Sequence, residues 1–361
     1  MIKFCDYSKK NQNFKKDMIK EIYTLFNKTN EYELEKCTQE LEKKFARYNN
    51  STFSIGVNSG TTALQLALLV SGIKKNNKVI IPTYTYIATA LAVLNIGAIP
   101  IFADIKEDLT IDENKIENLI TKETKAIIPV HLHGNVCEMD KINKICEKYN
   151  LTLIEDCSQA HGAEYKGEKV GSKNIGCFSM HSSKIISGLG SSGIITMNNK
   201  EKYEQIKECL LPNSNKTNNI ISKRTPCKMD AIQAAIIKIK LENVEKIIER
   251  KINIAQKYKE NISNNKIKLI ETNLKNKNVY RDICIKIDNP DKFISYMKEN
   301  DIEVKQLYAP LHLTKFFKTN KNKTLSISEE LCKKIVCLPN YYGITDEEIV
   351  YICEKINEYK L

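Results

Sequence analysis

The chain has 361 residues, of which 42% are hydrophobic and 28% are charged, and its formal net charge is +12. This composition excludes a disordered chain, and the absence of any apolar run of about 18 residues excludes a transmembrane helix. The positive charge is nearly all lysine and is spread along the whole sequence, so we expect neither a nucleic-acid nor a membrane partner.

The residue pattern of the N-terminal region predicts helical structure and does not indicate an export signal. Its first residues, MIKFCDYSKKNQNFKKD, lack the apolar core of a signal peptide, so we expect a cytoplasmic protein. Charged and apolar residues then alternate at helical spacing in ELEKCTQELEKKFARY. The 12 cysteines show no CxxC pair and no other metal-like spacing. We therefore expect reduced thiols and no metal site.

Short strands and helices alternate from residue 53 onward. Strand-like segments are TFSIGV, KVIIP, IPIFAD, AIIPVHL, LTLIED, IGCFSM and GIITM. The helical segments between them are TALQLALLVSGI, YIATALAVLNIG and MDKINKICEKYN. This order predicts an α/β fold with a mainly parallel central sheet and helices on both faces.

The C-terminal third predicts a smaller α+β unit. A long helical run extends from Met229 to about Lys257, and VYRDICIKI, DKFISYMKEN and DEEIVYICEKINEY follow it. The length also favours two domains. We place a large domain at 1–250 and a small one at 251–361, and the polar stretch 213–226 is predicted to be a mobile loop.

The segment VNSGTTALQLAL combines a strand end, a small polar turn and a helix predicted to begin at about Ala63. Free backbone N–H groups and hydroxyls at a helix N-terminus form an anion site, most often for phosphate. Considered alone, the segment is equally compatible with Thr61 or Thr62 as a simple helix cap.

Two further residues, Asp156 and Lys184, are candidates for a chemical role because of where they lie relative to the predicted strands. Asp156 ends the apolar strand LTLIED, and ligands of open parallel sheets bind at such strand ends. A cap of the following turn is the alternative for this residue alone. Lys184 lies in CFSMHSSKIISGLGSSGIITM, between a strand and a glycine-rich turn. A lysine in a partly apolar setting loses its proton more easily and can attack a carbonyl carbon. An ordinary surface lysine is the alternative for this residue alone, because lysine is abundant along the chain.

A phosphate turn, a strand-end carboxylate and a downstream lysine are the three parts that a pyridoxal phosphate site requires. The motifs GVNSGTTALQLAL, PTYTYIATALAVLNIGAIPIFADI, KAIIPVHLHG, IEDCSQAHGAEYKGEKVGS, FSMHSSK and MDAIQAAI closely resemble those of the DegT/DnrJ/EryC1/StrS family of sugar aminotransferases. The resemblance runs from about residue 40 to the C-terminus. It implies fold type I, pyridoxal 5′-phosphate, and a homodimer with active sites at the subunit interface.

The resemblance also implies residue roles. Lys184 matches the lysine that holds the cofactor covalently, and Asp156 matches the partner of the pyridine nitrogen. The remaining cofactor contacts by this resemblance are Gly60, Thr61, Thr62 and Ser179 at the phosphate, Gln159 near the ring hydroxyl, and Tyr86 stacked on the ring. A core tyrosine is the alternative for Tyr86. His131 and His161 are expected to be structural histidines with satisfied hydrogen bonds.

The implied reaction transfers an amino group, commonly from L-glutamate, to a nucleotide-linked keto-sugar. The motifs lean slightly toward a 3-keto rather than a 4-keto substrate. Candidate substrate contacts are Tyr308, His312 and Arg224. A keto-sugar or keto-cyclitol without a nucleotide, or a family member without catalytic activity, stays open as an alternative.

The sequence departs from the family pattern near the expected phosphate and substrate sites. Pro226 replaces an asparagine that reaches the partner subunit's phosphate site, and Lys228 replaces an arginine. A glycine-proline turn is replaced by NEYELEKC, and serines occupy acidic and glycine positions in GLGSSG. Because proline offers no side-chain amide and no N–H, another residue must supply that phosphate contact or the contact is lost.

Overall fold

The computed structural model of the chain describes residues 1–210, 227–273, 275–317 and 324–360. The stretch 213–226, predicted above as a mobile loop, lies outside these ranges. Within them, no helix has the length and apolar character needed to cross a membrane. The expected cytoplasmic location stays a prediction.

A seven-stranded central sheet organises most of the chain. Its strands, in spatial order, are β1 (Phe53–Val57), β9 (Gly193–Met197), β8 (Ile175–Ser179), β5 (Thr152–Asp156), β4 (Thr124–Ile127), β2 (Lys78–Pro82) and β3 (Ile99–Ala103). The pairs from β8 through β3 are parallel, whereas β9 is antiparallel to both of its neighbours. A two-stranded hairpin, β6 (Glu164–Tyr165) and β7 (Glu168–Lys169), lies outside this sheet.

The helices that precede or interrupt the sheet have these bounds: α1 Tyr7–Gln12, α2 Lys15–Phe26, α3 Glu31–Tyr48, α4 Gly60–Val70, α5 Ala88–Asn95, α6 Glu113–Ile116, α7 Met139–Tyr149 and α8 Lys200–Leu210. Short 3-10 turns cover Glu117–Leu119, Leu132–Gly134 and Leu311–Leu313. The long helical run predicted from Met229 consists of two helices, α9 (Ala231–Glu242) and α10 (Val244–Asn261), with Asn243 between them.

Two apolar cores cover the two faces of the sheet. Ile80 packs in one core, while its strand neighbours Val79 and Ile81 pack in the other, as the alternation of side chains along a strand requires. The first core draws on α3, α7, α9 and α10, and the second on α4, α5 and α8. The α/β architecture predicted from the sequence is confirmed.

The C-terminal part forms a smaller unit with its own core. Its antiparallel sheet contains β10 (Lys268–Leu269), β11 (Ile283–Lys286) and β12 (Ile335–Leu338). The accompanying helices are α11 (Pro290–Glu299), α12 (Ser326–Leu331) and α13 (Asp346–Glu358). Helix α10 runs across residue 250, and its later residues Ile254 and Tyr258 pack in the C-terminal core. The division at 250 stays a prediction.

Candidate active site

The site residues predicted from sequence meet at one edge of the central sheet. Strands β1, β8 and β5 point the same way, because β1 and β8 are both antiparallel to β9 and β8 is parallel to β5. Their carboxyl ends therefore bring the turn after β1, Ser179 and Asp156 to a common edge. Ligands of such sheets bind there.

The turn after β1 and the end of β8 approach too closely for a side chain between them. A Cβ built on Gly60 would lie 2.7 Å from the Cβ and 3.1 Å from the Cα of Ser179. Because Gly60 has no side chain, the start of α4 can lie against Ser179 at the end of β8. Backbone N–H groups at a helix N-terminus favour a phosphate.

The first turn of α4 differs from the sequence expectation. The helix begins at Gly60 rather than near Ala63, and its cap is Ser59, whose Oγ accepts a hydrogen bond of 3.1 Å from the backbone N–H of Thr62. Thr61 and Thr62 therefore lie inside the helix and are not caps. The Thr62 hydroxyl also donates to Asn58 Oδ1 at 2.7 Å.

Asp156 is a buried carboxylate held by two neutral donors. Thr89 Oγ1 donates to Asp156 Oδ2 at 2.8 Å, and the backbone N–H of Ser158 donates to Oδ1 at 3.1 Å. Neutral donors orient the carboxylate without cancelling its charge, which stays available to a cationic ligand. The sequence analysis did not identify Thr89, although its hydroxyl lies in the same motif as Tyr86.

Lys184 lies buried in the loop between β8 and β9. Burial, and next the positive charge of Arg281, lower the pKa of its amine from 10.5 to about 7, against the opposing charges of Asp156 and Asp282. A large fraction of the amine is therefore neutral near physiological pH and can act as a nucleophile.

A second buried lysine, from the N-terminal helix α1, holds the Lys184 loop. Lys10 Nζ donates to the carbonyl oxygens of Ser182 and Lys184, at 2.7 and 2.6 Å. Burial is the main reason that the pKa of Lys10 falls to about 8. This contact could not be predicted from the sequence, because lysine is abundant along the whole chain.

The glycine-rich turn after Lys184 is fixed by the side chain of Gln233. Its Oε1 accepts hydrogen bonds from the backbone N–H groups of Leu189 and Gly190, at 3.0 and 3.2 Å. Gln233 is the glutamine of the MDAIQAAI motif and lies in α9. The motif therefore supports the loop that carries Lys184.

Gln159 connects the strand-end region to two other residues of the site. Its Oε1 accepts from the backbone N–H of His133 at 2.9 Å, and its Nε2 donates to the Tyr308 hydroxyl at 3.0 Å. The Tyr86 and Tyr308 rings lie 6.5 Å apart. Tyr86 is 56% exposed, so it is not a core tyrosine and has a face available to a ligand.

The predicted substrate contacts have different surroundings. Tyr308 belongs to the site through Gln159, as described above. His312 is engaged at both ring nitrogens, with Thr83 Oγ1 at 2.6 Å and Glu329 Oε1 at 3.1 Å. Arg224 and Pro226 lie outside the described residues.

One departure from the family pattern, Lys228, and one further charged residue, Arg281, can be followed in the structure. Lys228 pairs with Glu35 at 2.6 Å on the side of α3. Arg281, which was not placed in the site from the sequence, is largely buried and pairs with Asp282. Its charge acts on Lys184, so it is part of the electrostatic environment of the loop that carries Lys184.

The two histidines expected to be structural differ. His131 is satisfied, because Nε2 pairs with Glu155 at 3.0 Å and Nδ1 accepts from the Cys137 backbone at 3.2 Å. His161 does not fit the expectation, since neither ring nitrogen has a hydrogen-bond partner among the described residues. Burial, with the nearby charge of Lys184, lowers the pKa of His161 to about 3, so its ring is neutral.

Comparison with known proteins places these features in a family context. A model of the DegT/DnrJ/EryC1/StrS aminotransferase family matches residues 13–357. The chain is 34% identical over 99% of both chains to a dTDP-3-amino-3,6-dideoxy-alpha-D-galactopyranose transaminase of Aneurinibacillus thermoaerophilus. It is 33% identical to a GDP-perosamine synthase of Escherichia coli O157:H7, over 89% of each chain. The crystal structure of DesV from S. venezuelae in complex with a ketimine intermediate superposes with a TM-score of 0.91 at 26% identity, covering 98% of this chain and 97% of that one.

Proposed function

The chain belongs to the DegT/DnrJ/EryC1/StrS aminotransferase family, and we propose that it transfers an amino group from L-glutamate to a nucleotide-linked keto-sugar. As a member of this family it is a pyridoxal-phosphate-dependent aminotransferase. The observation that carries the proposal is the buried Lys184 amine, whose pKa falls to about 7 at the same sheet edge as Asp156 and the turn at Gly60.

The residues at this edge fit pyridoxal phosphate in chemistry. The approach of Gly60 to Ser179 leaves backbone N–H groups and a hydroxyl for the phosphate. The buried carboxylate of Asp156 suits the protonated ring nitrogen, and the Lys184 amine suits the aldehyde. We propose Thr61, Thr62, Tyr86 and Gln159 as further cofactor contacts.

The chain's own groups have distinct tasks in this proposal. Pyridoxal phosphate, when bound, supplies the electron sink that lets the donor's α-carbon lose a proton. Lys184 Nζ would accept that proton in the first half of the reaction, and in the second half it would deliver a proton to the sugar carbon that receives the amine. Lys10 fixes the loop of Lys184 through two carbonyl oxygens. Thr89 fixes the carboxylate of Asp156 through one hydroxyl.

The substrate proposed is a 3-keto-sugar linked to a nucleoside diphosphate. It is supported by the relative from Aneurinibacillus, whose name specifies a dTDP-linked 3-amino sugar and which aligns along almost the whole chain. The GDP-perosamine synthase has nearly the same identity to this chain, so GDP-linked sugars are a second substrate class to test. Tyr308 is our first candidate for a substrate contact, and His312 and Arg224 are the other two.

The proposal includes a homodimer with the active site at the subunit interface. Large apolar side chains next to the site are exposed in the single chain: Tyr86 is 56%, Leu189 54% and Ile232 49% exposed. Leu189 lies in the turn after Lys184, and Ile232 lies beside Gln233, which holds that turn. A second copy that covers these side chains would remove apolar area from water next to the cofactor.

The experiment begins with the visible absorption of the purified protein after addition of pyridoxal phosphate. We expect a yellow band from lysine-bound cofactor, bleached by L-glutamate and absent from Lys184→Arg. The matched control Lys173→Ala, an exposed lysine on the strand-connecting segment, should keep both properties. A yellow band that survives in Lys184→Arg would contradict the assignment.

The acceptor is then tested with the glutamate-treated enzyme. Return of the yellow band is measured with dTDP-linked 3-keto, dTDP-linked 4-keto and GDP-linked 4-keto sugars, and with a 3-keto-sugar that lacks the nucleotide. We expect the fastest return with the dTDP-linked 3-keto sugar. Equal rates with and without the nucleotide would contradict the nucleotide requirement. A protein that never binds the cofactor would favour a non-catalytic family member.

A further inference from the structure

Three side chains that can bind a metal ion, one imidazole and two thiols, lie close together although they are far apart in sequence. His133 lies in the 3-10 turn Leu132–Gly134, Cys284 on β11 and Cys337 on β12. The two cysteines face each other directly across antiparallel strands, and their Sγ atoms are 3.4 Å apart. One histidine nitrogen and the two sulfur atoms all lie within 4.8 Å of one another.

The histidine of this cluster has an unused nitrogen. His133 is 1% exposed, and its Nδ1 bonds Asp282 Oδ2 at 2.8 Å. Since a carboxylate only accepts, Nδ1 carries a proton, and Nε2 carries a lone pair once its own proton has left, as metal binding to a histidine requires. This Nε2 is buried and has no hydrogen-bond partner among the described residues. A buried polar atom without a partner is costly, so it points to a missing ligand.

We propose that His133 Nε2, Cys284 Sγ and Cys337 Sγ bind a divalent cation of the zinc class. Two thiolates and one imidazole are a ligand set that zinc prefers, with a water in the fourth position. The carboxylate of Asp282 behind the imidazole is the partner that metal-bound histidines usually have.

The spacing of the cluster is close to that of a tetrahedral site. Zinc–sulfur bonds of about 2.3 Å at the tetrahedral angle place two sulfurs roughly 3.8 Å apart. The observed 3.4 Å is near this value and far from the bond length of about 2.05 Å in a disulfide. Small side-chain movements would complete the site.

A second group, of His131, Glu155 and Cys157, shows that a compact cluster without free ligand atoms does not support a metal site. It is equally compact and buried. However, both nitrogens of His131 have partners, and Glu155 also accepts from the backbone of Gly171 and from Asn174 at 2.9 Å each. No free lone pair on its histidine remains for a cation. The inference therefore concerns the cluster of His133 alone.

The proposed site lies beside a cavity through which a cation can enter. A bound cation would also affect the neighbouring turn. His133, Asp282 and Cys284 line a cavity that also borders Lys106 and Asn135. On the other side, the backbone N–H of His133 holds Gln159. A bound cation would therefore connect strands β11 and β12 to the turn that positions a cofactor contact.

The test uses the reduced holoenzyme, freed of metal by a chelator and titrated with Co²⁺, followed by displacement with Zn²⁺. We expect one equivalent of Co²⁺ to give sulfur-to-cobalt absorption in the difference spectrum against the holoenzyme. Cys284→Ser and Cys337→Ser should each lose this absorption. The matched control Cys146→Ser, a buried thiol on α7, should keep it.

Retention of the yellow cofactor band in each variant shows that the fold persists, and Cys337→Ala provides a second variant if Cys337→Ser does not fold. Zn²⁺ should raise the melting temperature of the wild type and of Cys146→Ser only. Cobalt–sulfur absorption that persists in both Cys284→Ser and Cys337→Ser would overturn the proposal. Absence of Co²⁺ uptake by the reduced wild-type holoenzyme would also overturn it.

Discussion

Replacement of Gly60 by alanine tests the close approach at the phosphate turn. The new methyl group would lie 2.7 Å from Ser179 Cβ, whereas carbon atoms in contact are about 3.5–4.0 Å apart. The two segments must therefore separate by roughly 0.8 Å or more. Because the Ser179 Cα would also be only 3.1 Å away, rotation of the serine side chain cannot relieve the contact.

The energetic consequence follows from the cost of overpacking. Such insertions cost about 1–3 kcal/mol. If this strain weakens cofactor binding by the same free energy, the dissociation constant of pyridoxal phosphate rises by about 5- to 160-fold. The free energy of unfolding of the apoprotein should decrease by about 1–3 kcal/mol. The double variant Gly60→Ala, Ser179→Gly removes the closer contact and should recover part of the stability, but not the affinity.

Gly72→Ala is the matched control, at the other end of α4. Gly72 has a φ of +75°, and a Cβ there meets nothing within 4 Å. Its alanine variant should lose about 1 kcal/mol of stability through backbone strain alone. Cofactor affinity is measured by absorption titration, and stability by denaturant unfolding of the apoprotein. Equal losses of affinity in the two alanine variants would refute the argument that Gly60 shapes the phosphate site.

Three other outcomes are expected. The rate at which the apoprotein binds pyridoxal phosphate should rise as the pH passes through about 7, where Lys184 becomes neutral, and then level off; a midpoint near 10.5 in stopped-flow absorption would contradict this. Thr89→Val should lower unfolding free energy by about 1–3 kcal/mol, because it leaves the buried strand-end aspartate one donor short, whereas Thr85→Val should change it less. Tyr308→Phe removes the hydroxyl that Gln159 contacts and should reduce kcat/KM for the sugar about tenfold in steady-state assays, with cofactor affinity unchanged.

The fold was largely predictable because its signals are local. Apolar strands of about five residues alternate with helices, and this order predicts a parallel sheet. The break at Asn243 was not predictable, since the apolar period continues across it from α9 into α10. The start of α4 was also placed too late, because Ser59, Thr61 and Thr62 are all good cap residues in sequence.

The site was predictable only where its residues lie at strand ends. Asp156 and Ser179 are the last residues of their strands, so topology brings them together. The supporting contacts join residues distant in sequence: Lys10 with Lys184, Gln159 with Tyr308, and His133 with Asp282. No spacing rule connects such pairs. For the same reason, the scattered cysteines indicated no metal site although two of them are cross-strand neighbours.

The charge balance of the site links these distant contacts to its chemistry. Lys184 and Lys10 are buried and Arg281 is largely buried, and the positive charges of Arg281 and Lys10 act on the Lys184 amine. Asp156 and Asp282 oppose them, but Asp282 is already paired with Arg281. With the Lys184 amine neutral, the positive charges of Lys10 and Arg281 balance the negative charges of Asp156 and Asp282. Burial, together with the positive charges of Arg281 and Lys10, therefore favours the neutral form of the Lys184 amine, which is the form that can act as a nucleophile.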